Sequence, residues 1–380
     1  MSLRKYFVCI IVLIFSNCRT IKSNHPTGTF SGIKLLDTAI IPFNQQFNNT
    51  IIGGLSGIDF DREKNQYYLI CDDRSAINPA RFYTADIRLN QFQIDTILFK
   101  KVTFLRNQTN EYYPNSQTAP AKTPDPEAIR YNPSKKIFVW TDEGERIVTD
   151  KDTILADPSI NWIDTTGKLV HQVRLPQNLI VHSSEMGPRK NGVLEGICLT
   201  PNNKHYFTSL EEPLYEDGPR AQLEKNKPFV RFYKFNSRNN KNIAQYAYEL
   251  DPIAYPSLPQ NAFKVNGIPE ILYLCKNKLL IIERSFSTGR LPCTIKVFIA
   301  DLRNASNIKN TASLKEDQLF IPAKKKLLLN MDQLNIYTDN IEGVTFGPKL
   351  PNGHASLLFV SDNNFAPFQQ SQVFLFEIIP

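Results

Sequence analysis

Asp125-Pro126-Glu127-Ala128-Ile129, followed across a polar turn by Val139-Trp140-Thr141-Asp142, sets a pattern that returns along the whole chain. It recurs as Leu194-Glu195-Gly196-Ile197 leading to Phe207 through Glu211, and as Pro269-Glu270-Ile271-Leu272 leading to Leu280 through Glu283. A further copy is Ile341-Glu342-Gly343-Val344 leading to Leu358 through Asp362. The earliest copy, Gly53 to Ile58 leading to Leu69 through Asp73, carries Ser56 where the others carry Glu. Recurrence of one acid–strand–turn–strand–acid unit identifies a repeat architecture.

Each unit reads as a β-hairpin, because two apolar runs flank turns such as Asn132-Pro133-Ser134-Lys135 and Pro201-Asn202-Asn203-Lys204. In an antiparallel pair the leading and trailing acids fall at the same end. Radial packing of such hairpins gathers the acids at one rim of a central channel, which predicts an all-β chain folded as a β-propeller. Further strands are expected at 82–87, 92–102, 160–163, 169–175, 229–235, 246–250 and 294–300, with a weaker one near Phe320. After Asp362 one strand remains, 373–379, so the missing outer strand is supplied by 33–41 and the ring closes by pairing the termini. Five blades account for the chain; a degenerate sixth hidden in an insertion stays open as an alternative.

Residues 1–18 have the form of an export signal, with Arg4 and Lys5 before a short apolar run ending at Cys18. This predicts an exported protein, periplasmic, extracellular or held at the outer membrane through a lipid on Cys18, with 19–29 as a tether and 30–380 as one propeller domain. Loss of the signal lowers the net charge from +7 to +5. The basic residues are scattered, so no specific nucleic-acid binding is expected. The one dense run, Lys324-Lys325-Lys326, reads as a solvated strand or turn. Cys71, Cys198, Cys275 and Cys293 lack zinc-site spacing and read as small apolar residues.

No HExxH pair, Gly-x-Ser-x-Gly elbow, phosphate loop or dinucleotide fingerprint occurs. What is left is a ring of carboxylates with arginines beside it. Glu127, Glu195, Glu270, Glu342 and Asp73 are the candidate ligands for a hard cation, with calcium expected. Glu211, Glu195 and Asp142 are the candidate catalytic acids. Arg74, Arg81, Arg146, Arg189, Arg220 and Arg284 are the candidate clamps for an anionic substrate. The loop 104–124 is long enough to cover the channel mouth. A structural alternative makes Glu127, Glu195, Glu270 and Glu342 inter-blade anchors that accept backbone N–H groups.

The set formed by Gly54-Leu55-Ser56-Gly57-Ile58 with Asp72-Asp73-Arg74, Asp125 to Ile129 with Asp142-Glu143-Gly144, Glu195-Gly196-Ile197 with Glu211-Glu212, Glu270 with Glu283-Arg284, and Glu342-Gly343-Val344 with Ser361-Asp362-Asn363 resembles the phytase-like family of exported bacterial and plant proteins. The resemblance spans roughly residues 50–378 and implies metal-dependent hydrolysis of phosphate monoesters or other small anionic esters on a propeller. A calcium-dependent lactonase-like esterase and a non-catalytic envelope propeller binding a glycan, peptide or protein are the competing functions.

Overall fold

The computed structural model describes residues 30–317 and 319–380, so the expected signal and tether, with Cys18, lie outside the described residues. Five four-stranded antiparallel sheets form the blades. Blade 1 comprises Leu55–Asp61, Gln66–Cys71, Arg81–Asn90 and Gln93–Phe104; blade 2 comprises Pro126–Asn132, Ile137–Asp142, Ser159–Asp164 and Leu169–Gln172. Blade 3 runs through Leu194–Leu199, His205–Leu210, Phe229–Asn236 and Asn242–Glu249, and blade 4 through Lys264–Cys275, Lys278–Ser287, Thr294–Asp301 and Lys324–Asn330. Blade 5 is built from Asn340–Phe346, Ser356–Asp362 and Ser371–Ile379, and Gly32–Ile41 completes it by pairing Gly32 with Ile379 and Ile41 with Ser371. The ring is therefore closed by the two ends of the described chain, as expected.

One strand differs. The outer strand of blade 4 is the lysine run, not the segment near Phe320. Its central lysine is held from the blade surface, since Lys325 Nζ meets Asp251 at 2.6 Å and Glu283 at 2.8 Å, while Lys324 and Lys326 are exposed. Phe320 instead packs edge-on against Phe229, with ring centroids 5.1 Å apart.

The apolar faces of adjacent blades pack on one another, giving a core distributed around the ring rather than placed at its centre. At the axis the inner strands touch round the full circle. They approach so closely that a Cβ on Gly57 would lie 2.8 Å from the Glu127 carbonyl, and one on Gly196 would lie 2.6 Å from the Ile271 nitrogen. Small residues in the repeat are thus a consequence of crowding at the axis.

Blade 4 breaks the pattern. In register, Ile58, Ile129, Ile197, Ile271 and Val344 are equivalent, so Pro269 stands where the other copies have Ser56, Glu127, Glu195 and Glu342. Glu270 then takes the place of the small residue and enters the axis. It is fully buried and pairs with Arg130 at 2.6 Å. The Arg130 guanidinium also donates to the carbonyls of Ile58, Ile129, Ile271 and Val344, while Glu270 Oε1 accepts the N–H groups of Ile197 and Ile271. Blades 1 to 5 all meet in this one cluster. Glu270→Gln, which strands a buried guanidinium, is expected to cost about 3–5 kcal/mol in a urea unfolding titration. A loss under about 1 kcal/mol would show that the ring closes without the pair.

Candidate functional site

The acids gather at the end of the channel opposite the hairpin turns, around a cavity of about 1070 Å³. Two tiers supply them. The inner-strand tier is Glu127, Glu195 and Glu342; in blade 1, Ser56 donates to the Glu127 carbonyl at 2.7 Å and contributes no acid. The second tier is the third residue past the partner of the equivalent apolar position, which is Asp72, Glu143, Glu211, Arg284 and Asp362 in blades 1 to 5. Asp125, from the segment entering blade 2, joins them.

Three groups offer carboxylate oxygens within 4.8 Å of one another: Asp125, Glu127 and Glu143; Glu143, Glu195 and Glu211; and Asp72, Glu342 and Asp362. Glu143 belongs to two of them. Burial, and after it the neighbouring carboxylates, holds Asp72, Glu127 and Glu195 well above the ordinary carboxyl range. The same two causes push Glu143 up to about 7 and Glu212 up to about 8. Glu342 also reaches about 8, with Arg284 opposing the effect of burial.

Arg284 replaces an acid in this ring and serves as an internal counter-ion. It donates to Glu211 at 2.7 Å and also to Glu342, the acids of the two flanking blades. Burial opposes its charge, but Glu342 and Glu211 hold its pKa above the ordinary value. Arg74 pairs with Glu145 at 2.6 Å and Asp125 at 3.6 Å, and Arg220 with Glu212 at 2.8 Å, both at the cavity wall. Lys190 is exposed at the same mouth and has no ion-pair partner among the described residues.

Several expected site residues lie elsewhere. Glu270 is the axial anchor just described, so the reading of it as a rim ligand is corrected and its structural alternative holds. Asp73 points away from the cavity, pairs with buried Arg81 at 2.7 Å and caps the N–H groups of Ala76, Ile77 and Asn78. Both Asp73 and Arg81 thus brace a loop. Asp142 accepts from the Asp125 and Gly144 nitrogens and from Ser159 Oγ, leaving its neighbour Glu143 to face the cavity. Arg146 and Arg189 flank Tyr215, at 5.2 and 4.2 Å from the ring centroid, and donate to loop carbonyls. They staple the loops after blades 2 and 3. Residues 105–124 do not line the cavity; they brace blades 1 and 2, with Tyr113 against Trp140.

The candidate ligand and catalytic lists left out Asp72, Glu143, Asp125 and Asp362, although Asp72, Asp125 and Asp362 were placed at the rim by the repeat. Two of them, Asp72 and Glu143, sit one position along the chain from a named candidate. Adjacent residues near a strand end point to opposite sides, and a bulge at the start of each inner strand shifts which one faces the axis. The doublets Asp72-Asp73 and Asp142-Glu143 signalled the rim without saying which member faces it.

A five-bladed propeller with an acid-lined mouth is the class that fold and site define. A family model described as phytase-like, "Esterase-like activity of phytase", matches residues 50–365, and the chain belongs to that family. No curated protein matches the chain. Among solved structures it is similar to an endo-arabinase from Bacteroides thetaiotaomicron, at 13% identity over 90% of this chain and 97% of that one, with TM-score 0.43. It is also similar to a gluconolactonase from Xanthomonas campestris, at 10% identity over 90% and 89%, with TM-score 0.33.

Raised carboxyls make the cation-free fold prefer protons. In the folded state these groups bind protons at pH values where the unfolded chain has released them, so stability is greatest below the ordinary carboxyl pKa of 4.5 and falls as pH rises toward about 8. In EDTA the melting temperature is therefore expected to fall from about pH 5 to about pH 8, and the gain on adding calcium to grow over the same interval. A calcium gain that is flat with pH would remove these carboxyls as the ligands.

Proposed function

We propose that this protein is a metal-dependent hydrolase of anionic esters, with phosphate monoesters as the leading class. The observation that carries the reading is the pair of buried carboxylate triads sharing Glu143. Their donor set fits a hard cation such as calcium: every ligand is a carboxylate oxygen, with no histidine or cysteine among them. Asp125, Glu127, Glu143, Glu195 and Glu211 would hold it, and its charge would offset the mutual repulsion of these carboxylates. Such a cation supplies Lewis-acid polarisation of an ester oxygen and a more acidic water.

The remaining chemistry falls to the chain's own groups. Lys190 and Arg220 stand at the mouth to orient the anionic oxygens of the ester. Arg284 fixes the orientation of Glu211 and Glu342 and offsets part of their charge. Glu211 is engaged by that guanidinium, whereas Glu212 is 3% exposed and has Oε1 without a partner. Glu212, paired with Arg220 through Oε2, is the group assigned to accept a proton from the attacking water once a bound cation has offset the burial and repulsion that raise its pKa, in place of Glu211.

With the full-length protein, phosphate release from p-nitrophenyl phosphate should require added calcium and stop in EDTA. Glu143→Gln should lower kcat at least about a hundredfold, while Asp73→Asn should lower the melting temperature and leave kcat within about threefold. Release that persists in EDTA, or a Glu143→Gln variant with unchanged kcat, would overturn the reading.

A further inference from the structure

We propose that the cavity takes amphiphilic esters, with one anionic head group on the acidic side and a hydrocarbon portion seated against a fixed apolar wall on blades 4 and 5. The proposal rests on the hydrolase reading above and names its substrate class. Blade 4 is the sector where the acid ring is interrupted, by Pro269 and Arg284. The large apolar groups of the lining collect there: Phe263 and Phe286, with ring centroids 6.1 Å apart, Leu291, and Phe368 from blade 5, with Thr288, Arg290 and Asp339 among them.

Three of these side chains are unusually exposed for their size. Leu291 is 71%, Phe368 70% and Phe263 59% accessible, and all three line one mouth. Large apolar groups converging on a cavity mark a binding surface rather than scattered surface residues. Their loops are tied down: Thr288 N–H donates to the Phe263 carbonyl, and Asp339 receives the Gln369 side chain and the Gln370 N–H. The wall is thus formed in advance, which spares an apolar ligand the cost of ordering it.

Charge points the same way. Among the described residues lining the cavity, Arg74, Arg220, Arg284 and Arg290 each pair with an acid and Lys190 has no acidic partner, so a ligand bearing many phosphates meets a single uncommitted cation. A fully polar polyphosphate would also leave the apolar wall wet. A single head group against Lys190 and Arg220, with a hydrocarbon tail across the mouth, uses both halves. The cavity volume of about 1070 Å³ accommodates such a ligand.

Calorimetric titration of the full chain with calcium tests this, using octylphosphonate, methylphosphonate and inositol hexakisphosphate. Octylphosphonate should bind at least about tenfold tighter than methylphosphonate. The Leu291→Ser/Phe368→Ser double variant changes two exposed side chains; it should remove most of that difference and leave methylphosphonate affinity unchanged. Equal affinities, no binding of either phosphonate, a preference that survives the double variant, or tighter binding of inositol hexakisphosphate would each overturn the proposal. An intact octyl preference in a protein that hydrolyses no ester would uphold the apolar wall while sinking the catalytic reading.

Discussion

The Arg130–Glu270 pair at the channel axis is the constraint on which the rest of the molecule depends. Two opposite charges are taken out of water there, and their attraction alone does not repay the desolvation. The remaining donors and acceptors must be satisfied, and they are satisfied by backbone groups from all the blades. Only Arg130 Nε is left without a partner. Because the hydrogen bonds reach all five inner strands, the pair fixes how the strands meet as well as that they meet. A propeller whose inner strands crowd to van der Waals contact has no apolar plug at its centre, and this pair takes that role.

The same cluster explains why the acidic ring is asymmetric. Placing Glu270 in the axis requires a large residue where the other blades have Gly57, Ala128, Gly196 and Gly343, and this shifts the carboxylate of blade 4 by one position, leaving Pro269 at the rim. The second-tier position of that blade carries Arg284 in place of an acid, and its guanidinium bridges Glu211 and Glu342. Four blades therefore concentrate negative charge, and the fifth sector supplies a counter-ion and an apolar wall. Self-repulsion among buried carboxyls is a cost to stability; it persists at functional sites because the same charges bind a ligand. The closed ring, tied at its axis and by its terminal strands, is what holds such groups within 4.8 Å of one another.

Much of this architecture was legible in the sequence because it rests on local rules. Strand pairs come from apolar runs around Asn-, Pro- and Lys-rich turns, and the closing strand followed from counting strands per repeat. The outer strand of blade 4 escaped because Lys324-Lys325-Lys326 has no apolar alternation at its start. Its central lysine, Lys325, is stabilised by Asp251 and Glu283, acids distant in the chain. Roles of single charges were harder to read. Arg81, Arg146 and Arg189 have the residue type of an anion clamp, but they hold loops, because partners brought by the fold reached them first.

The sequence by itself determined the propeller, its closure and the end of the channel where the acids collect. These follow from hairpin geometry, which puts leading and trailing residues together whatever their surroundings. Only the tertiary structure decided that Glu143 and Asp72 face the cavity while Asp142 and Asp73 face their own loops. It alone decided that Glu270 belongs to the axis and that Arg284 sits among the acids. The physical reason is parity: side chains alternate along a strand, one bulge reverses the alternation, and a bulge is set by packing between blades rather than by the residues of one strand.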